Sequence, residues 1–407
     1  MALIVQKYGG TSLQDFDRIR RVAERIRDTQ QRGHPLIVVI SARGGVTDQL
    51  LREAETYGAS PNAREVDALL ATGEQACCCL VALALQALGV ASLSLSGQQA
   101  GIWTDGLHRH ATIQDIRPER IRRHLKEGKV VLVAGCQGIS PEGDLTTFGR
   151  GGSDLTAIAL AACFRADRCE IFTDVDGVYA ADPRRIPLRE CLRQISFDTL
   201  LAVSQNGGKV MHSRSVALAK EKNVPFHVRS SFATADDGGT LISSPSGSDW
   251  ETIHLSVKSN LRHLRFSLAP TSLPEVYGEI HRLHACGTGV DWFSERGLAN
   301  GHEEICVTFE TGREEHLLRL KELIRRSGGE LCREGYLSRI SLIGAPVKEN
   351  RALLLTEWSR ELNASQISIV KITANDIHLA LFVHASDTTK ATAILSQKLG
   401  LGKNDPP

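Results

Sequence analysis

Four short stretches hold most of the residues suited to handling a small charged molecule. In KYGGTS, Lys7 stands just before Gly9 and Gly10, and Thr11-Ser12 opens a helical run. A lysine beside glycine-rich backbone at a helix start suits phosphate: N–H groups face the anion and the ammonium adds a compact charge. An exposed lysine in a strand–helix turn fits the same letters. In SARGGVTD, residues 41–48, Ser41 and Thr47 offer hydroxyls, and Gly44-Gly45 let the backbone come close. In TFGRGGSD, residues 147–154, Arg150 can grip a carboxylate with two parallel N–H groups. Gly151 and Gly152 leave room beside it, and Ser153 or Asp154 suits the N-cap of the helix that follows. Asp154 can also hold Lys7 by ion pairing, or bind Mg²⁺. The fourth stretch, TDVDGVYAADPR, gathers Thr173, Asp174, Asp176, Tyr179, Asp182 and Arg184, a set suited to a nucleotide and equally good turn chemistry.

Several simpler assignments fail. GxxxxGK[ST] is absent, and no GxGxxG accompanies the first strand. The acidic turn lacks the glutamate that an EF-hand needs at its twelfth position. None of the 10 cysteines forms a CxxC pair with metal spacing. Cys77-Cys78-Cys79 lies in an apolar helical segment and reads as buried core thiols.

These stretches need a frame. Over the first ~240 residues, strand-like and helix-like runs alternate. LIVQKYGG, PLIVVISARGG and KVVLVAGCQGI are apolar strands that end in glycines. Between them lie DFDRIRRVAERIRDTQQ, EVDALLATGEQACCCLVALALQALG and ERIRRHLKEG, with helical spacing. Unalternated apolar strands between helices predict a mostly parallel sheet covered on both faces, an α/β fold of three layers. Ligands then belong at the carboxyl ends of the strands, where the glycines stand. Residues 233–251 are rich in Gly, Ser and Asp and read as a linker. Beyond it, two strand–helix–strand patterns of about 70 residues each have the size of small ferredoxin-like modules. The expected division is 1–240, 250–335 and 336–407.

Length and composition fit a globular chain of two or three domains. A net charge of +1 gives no global field for nucleic acid or an acidic membrane. No apolar run is read as approaching the ~20 residues of a bilayer span, and the N-terminus lacks the layout of a signal peptide. Reduced cysteines and no export signal point to the cytoplasm.

The segments KYGGTS, SARGGVTD, TFGRGGSD, TDVDGVYAADPR and GGKVMHSRSVALAKEKNVPFHVRSSF resemble the aspartate kinase family of the amino-acid-kinase superfamily, in order and spacing, over residues 4–232. The resemblance implies the three-layer αβα amino-acid-kinase fold followed by ACT modules. It implies ATP-dependent phosphorylation of the β-carboxylate of L-aspartate to 4-phospho-L-aspartate, a step toward lysine, threonine and methionine. It places the catalytic lysine on Lys7 and its partner on Asp154. Substrate contacts fall on Ser41, Thr47, Glu74, Arg150, Gly151, Gly152 and Ser153, with Glu74 at the α-amino group and Arg150 at the α-carboxylate. ATP contacts fall on Lys7, Gly9, Gly10, Thr173, Asp174, Tyr179, Arg184 and Lys209. Mg²⁺ comes with ATP, with no direct protein ligand assigned. A carboxylate nucleophile is ionised at pH 7 and needs no general base, in keeping with loops that hold no histidine.

The tail resembles the tandem ACT modules of the family more loosely. Where such modules carry DxxGxAA-like and GMxxxPGVAA-like stretches, this chain reads LAPTSLPEVYGEI and GAPVKENRALLL. Altered or absent feedback control is therefore expected, with a homodimer through these modules. Two other readings stand beside the first: a kinase of the same fold acting on another amino-acid carboxylate, and a catalytically silent amino-acid sensor.

Overall fold

The computed structural model describes residues 2–58, 61–186, 190–208, 210–233, 238–244, 253–285, 290–295, 302–310 and 314–401. The chain forms two compact units. The first comprises residues 1–180 and 189–252, and the second 181–188 and 253–407.

The first unit runs β1 (Ile4–Tyr8), α1 (Phe16–Gln31), β2 (Leu36–Ile40), α2 (Val46–Glu55), α3 (Ala63–Ala87) and β3 (Ser92–Leu95). It continues with β4 (Ile102–Thr104), β5 (Ile113–Ile116), α4 (Glu119–Lys126), β6 (Val130–Ala134), β7 (Gln137–Ile139), β8 (Leu145–Thr147) and α5 (Gly152–Phe164). It closes with β9 (Arg168–Thr173), β10 (Gln194–Ser196), α6 (Phe197–Gln205), α7 (Ser213–Lys222), β11 (Phe226–Ser230) and β12 (Thr240–Ser243).

Eight strands form the main sheet in the order β10-β12-β11-β9-β1-β2-β6-β3. Every pair is parallel except β11 with β12. Side chains alternate between its two faces because successive Cβ atoms point to opposite sides of a strand. Ile4 and Tyr8 of β1, Leu36, Val38 and Ile40 of β2, and Leu132 of β6 pack with Ile19, Val22 and Ile26 of α1 and Cys77, Cys78 and Val81 of α3. Val5, Ile37, Val39, Val131 and Val133 pack the other way, with Ile158 of α5, Ile121 of α4, Leu200 of α6 and Val216 of α7. Both faces are covered, which is why the strands lack polar alternation. Each fully buried Ile or Val contributes ~1.5–3 kcal/mol, so Ile26→Asp would detach α1.

Several sequence expectations change here. Thr240–Ser243, inside the stretch read as a linker, is strand β12, with Thr240 and Ile242 fully buried. Four short strands form a second sheet in the order β5-β4-β7-β8, which the long apolar runs did not announce. Helix α3 is long and apolar enough to meet the length and composition test for a membrane span, against the expectation of no such run. Half of its most apolar stretch is buried within the protein, and Asp67 and Glu74 are buried along it. Cys77 and Cys78 face the core, but Cys79 is exposed.

The second unit runs β13 (His254–Leu268), α8 (Leu273–Ala285), β14 (Val290–Glu295), β15 (Glu303–Glu310), α9 (Glu314–Arg326), β16 (Glu330–Ile343), α10 (Pro346–Ala364), β17 (Ile369–Ala374), β18 (His378–His384) and α11 (Thr388–Lys398). Its six strands form one antiparallel sheet, ordered β14-β15-β13-β16-β18-β17. β13 and β16 are 15 and 14 residues long and are shared between two halves. Leu261–Leu268 pairs with β15, while His254–Lys258 pairs with the far end of β16. The register shifts between Lys258 and Leu261, where Asn260 takes a left-handed φ of 59°. Two βαββαβ patterns result, the second taking its outer strand from the beginning of β13. β16 therefore runs across the boundary expected at 335/336. Residues 181–186 also join this unit: Ala181 bridges to Leu255, and Ala181 and Ile186 are buried in its core.

Candidate active site

The carboxyl ends of β1, β2, β6, β9 and β11 lie side by side in register. The loops leaving them are laced together by backbone. Ser41 donates to the carbonyl of Tyr8 at 3.2 Å, Gly44 to Gly10 at 2.9 Å, Gly9 to Phe172 at 3.2 Å and Gly135 to Ile40 at 2.9 Å. Gly10 is required by this closeness, since a Cβ there would sit 2.7 Å from the carbonyl oxygen of Ala42.

Lys7 reaches from the end of β1 to Asp154, in the first turn of α5, with Nζ and Oδ1 2.6 Å apart. Both side chains are buried to about nine tenths. The contact is a buried ion pair between the ammonium and Asp154 Oδ1. The positive end of the α5 dipole favours a carboxylate there. The N-cap is Gly151, at φ 74°, rather than Ser153 or Asp154. Ser153 is buried against the end of β6, where a Cβ on Gly135 would meet its side chain at 2.9 Å.

Glu74 lies on α3, 7% exposed. Burial pushes its carboxyl up to about 7, and a hydrogen bond from the backbone of Ala42 pulls the other way. Gly73 beside it lets α3 approach Ala42 and Val46, so Glu74 borders the loop that carries Ser41 and the helix α2 that carries Thr47. Arg150 is exposed on the glycine loop.

The loop itself is held from the far side by α7. Arg214 donates to the carbonyls of Phe148 and Ala111 at 2.7 and 2.9 Å, and Ser215 donates to Gly151 at 3.1 Å. A Cβ on Gly151 would lie 2.3 Å from that of His212. The loops themselves hold no histidine, but His212, at the N-cap of α7, packs against Gly151. Burial first, then the charge of Arg214, lowers its pKa, while Asp154 opposes this. The sequence placed MHSR only within a longer motif and gave no signal of this packing.

On the other flank, Ser231 donates to the carbonyl of Thr173 from both N and Oγ, and Ser12 donates to Ser231 at 2.8 Å. Thr173 Oγ1 donates to Asp174 at 3.1 Å, and the Tyr179 hydroxyl to Asp176 at 3.4 Å. Arg184 falls in the second unit, paired with Asp182 at 2.9 Å. Lys209 lies outside the described residues. Among the described residues, no cluster of three metal-ligating side chains occurs.

A sheet end with a buried Lys–Asp pair and glycine loops suits phosphoryl transfer. Residues 2–230 match the amino acid kinase family. An aspartokinase of Mycolicibacterium smegmatis is 38% identical, covering 100% of this chain and 98% of its own. One from Geobacillus stearothermophilus is 34% identical, covering 99% and 98%. The structure of E. coli aspartokinase III with aspartate and ADP superposes with a TM-score of 0.78 at 23% identity, covering 98% of this chain and 100% of that one. The chain belongs to the aspartokinase family of amino acid kinases.

Proposed function

We propose that the protein transfers the γ-phosphoryl group of ATP to the β-carboxylate of L-aspartate, giving 4-phospho-L-aspartate and ADP. The observation that carries this is the buried Lys7–Asp154 pair at 2.6 Å, set at the strand ends of a chain whose full-length relatives are aspartokinases. Phosphoryl transfer needs positioning and charge neutralisation more than covalent chemistry. Lys7 neutralises charge building on the transferred group. Asp154 keeps the ammonium aimed. Glu74, once ionised, takes the α-ammonium, and Arg150 takes the α-carboxylate. Ser41, Thr47 and Ser153 donate to the acceptor, and the backbone of Gly9, Gly10, Gly151 and Gly152 leaves space for both anions. Thr173, Asp174, Tyr179, Arg184 and Lys209 are assigned to ATP.

Mg²⁺, bound to the phosphates of ATP, would supply further charge neutralisation. The carboxylate of Asp154, buried at the strand ends, fits a cation nearby, and no cage of protein ligands is needed. We also assign the second unit to pairing two copies, since β14 and β17 stand at the two edges of its sheet. A cytoplasmic location completes the proposal.

The test is ADP release with a panel of carboxylates, coupled to hydroxylamine trapping. L-Aspartate should give an acyl hydroxamate and dominate over L-glutamate and N-acetylglutamate. ADP release without hydroxamate, or with another acid preferred, overturns the assignment.

A further inference from the structure

We infer that Asp67 is a positioning residue for the amino-acid acceptor: from α3 it fixes the loop that presents Arg150 at a set distance from Glu74. The inference rests on the acceptor assignment just given and extends it to a residue outside the reacting groups.

Asp67 is fully buried. Its carboxylate takes four hydrogen bonds, all from outside α3. Oδ2 accepts from the backbone N–H of Thr147 at 3.0 Å, from that of Arg109 at 2.9 Å and from His108 Nδ1 at 3.0 Å. Oδ1 accepts from the Thr147 hydroxyl. A buried carboxylate would be costly without donors, and one with its lone pairs filled from two separate segments works as a bracket.

What it brackets is the start of the glycine loop. Thr147 is the last residue of β8, three positions before Arg150. Arg109 is held left-handed at φ 70°, and its carbonyl oxygen lies 2.8 Å from where a Cβ on Gly149 would stand. Arg109 therefore forms the wall against which Gly149 turns, and Asp67 pins that wall and Thr147 together. Ala111 adds a bond to the Thr147 carbonyl at 3.0 Å.

The other end of the bracket is Glu74. It stands seven residues along α3, or two turns and roughly 10 Å of rise, on nearly the same side of the helix. The same helix meets the small sheet at Arg64–Asp144, 2.7 Å, and at Gln75–Gln137, 3.0 Å, which stops it sliding. One rigid element thus sets the separation between the group for the α-ammonium and the loop for the α-carboxylate. A zwitterion is recognised by that separation, so rigid spacing converts directly into acceptor affinity and selectivity.

The test uses the full chain. In Asp67→Ala the KM for L-aspartate should rise at least tenfold, with the KM for ATP changing less than twofold. Asp67→Asn should rescue to within threefold, because its amide oxygen still accepts from the three N–H groups and its NH₂ can face the Thr147 hydroxyl. In an Arg150→Ala background, Asp67→Ala should add less than twofold, since its effect runs through Arg150. Should Asp67→Ala fail to fold, Thr147→Val removes one bond only and should raise the KM for L-aspartate about threefold. An unchanged KM for L-aspartate, or equal effects on both substrates, or full additivity with Arg150→Ala, overturns the inference while wild-type turnover stands. A wild type with no aspartate-dependent ADP release overturns the acceptor assignment and this inference with it.

Discussion

Two regions bury ionisable groups differently: the strand ends of the first unit and β13 of the second. In the first, buried charges include Lys7 with Asp154, and Asp67 with four donors beside the loop leading to α5. In the second, the buried ionisable side chains include His254 and His263, both on β13, and burial drives each down to about 4. They are kept neutral instead of paired. The difference teaches where charge is retained for work. A buried pair contributes little net stability over an apolar substitute, so its presence at a strand end calls for a functional account. A buried neutral imidazole behaves as a polar filler whose cost appears only in acid.

The most severe break in this contrast is Lys7→Ala. It should lower kcat by about 10²–10³-fold or more while the purified protein keeps its circular dichroism. A kcat within threefold of wild type would mean that the paired charges of the first unit are as inert as the histidines of the second.

Acid offers the next test. Folded His254 and His263 titrate near 4, below the ordinary histidine value of 6.5. Below pH 6.5 the unfolded chain takes up protons that the folded imidazoles refuse. Their stabilisation is full above 6.5 and lost progressively between 6.5 and 4. Around His263, Arg333, Lys371, Arg265 and His384 add to the burial. The expected cost by pH 4.5 is on the order of a few kcal/mol. Hydrogen exchange should show amides of β13 and β16 losing protection before those of β1 and β2. His263→Gln should flatten the dependence; simultaneous loss in both units would break the comparison.

Glu74 carries the opposite sign. Its carboxyl is raised to about 7, so the folded state favours the proton, and stability falls as pH rises from 4.5 to 7. Substrate binding needs the ionised form. The KM for L-aspartate should rise roughly tenfold as pH drops from 8 to 6. Glu74→Gln should show a high KM without that dependence.

The smallest effect sharpens the contrast in the glycines. Gly278 lies in the middle of α8, and a Cβ added there would meet nothing within 4 Å. Gly278→Ala should therefore stabilise by ~0.5–1 kcal/mol in chemical unfolding. Gly151→Ala should do the reverse, because φ is 74° and His212 fills the space.

The parts legible in the sequence were those with local signatures. Apolar strands ending in glycine located β1, β2 and β6, and helical spacing located α1, α3 and α5, because burial on both faces writes itself into consecutive residues. Lys7 and Asp154 were legible by residue type, although their contact joins opposite ends of the first unit's central stretch of chain. Asp67 and His212 were not, since their partners lie 80 positions away or on another helix. β4, β5, β7 and β8 are three or four residues long, too short for a period. The long β13 and β16 were read only in part. LSRISLIGA is the buried end of β16, whereas Glu330–Glu334 is exposed and shows no apolar run.

The sharing of β13 has a consequence for biosynthesis. His254 pairs with Ile343, and Ile343 with His378. The beginning of β13 leaves the ribosome long before either neighbour exists, and at ~5–20 residues per second it waits several seconds or more for them. During that interval its edge is open to other chains. A gene cut at the apparent module boundary would make this exposure permanent: the downstream fragment would lack its outer strand, and the upstream fragment would carry one with nothing to pair it.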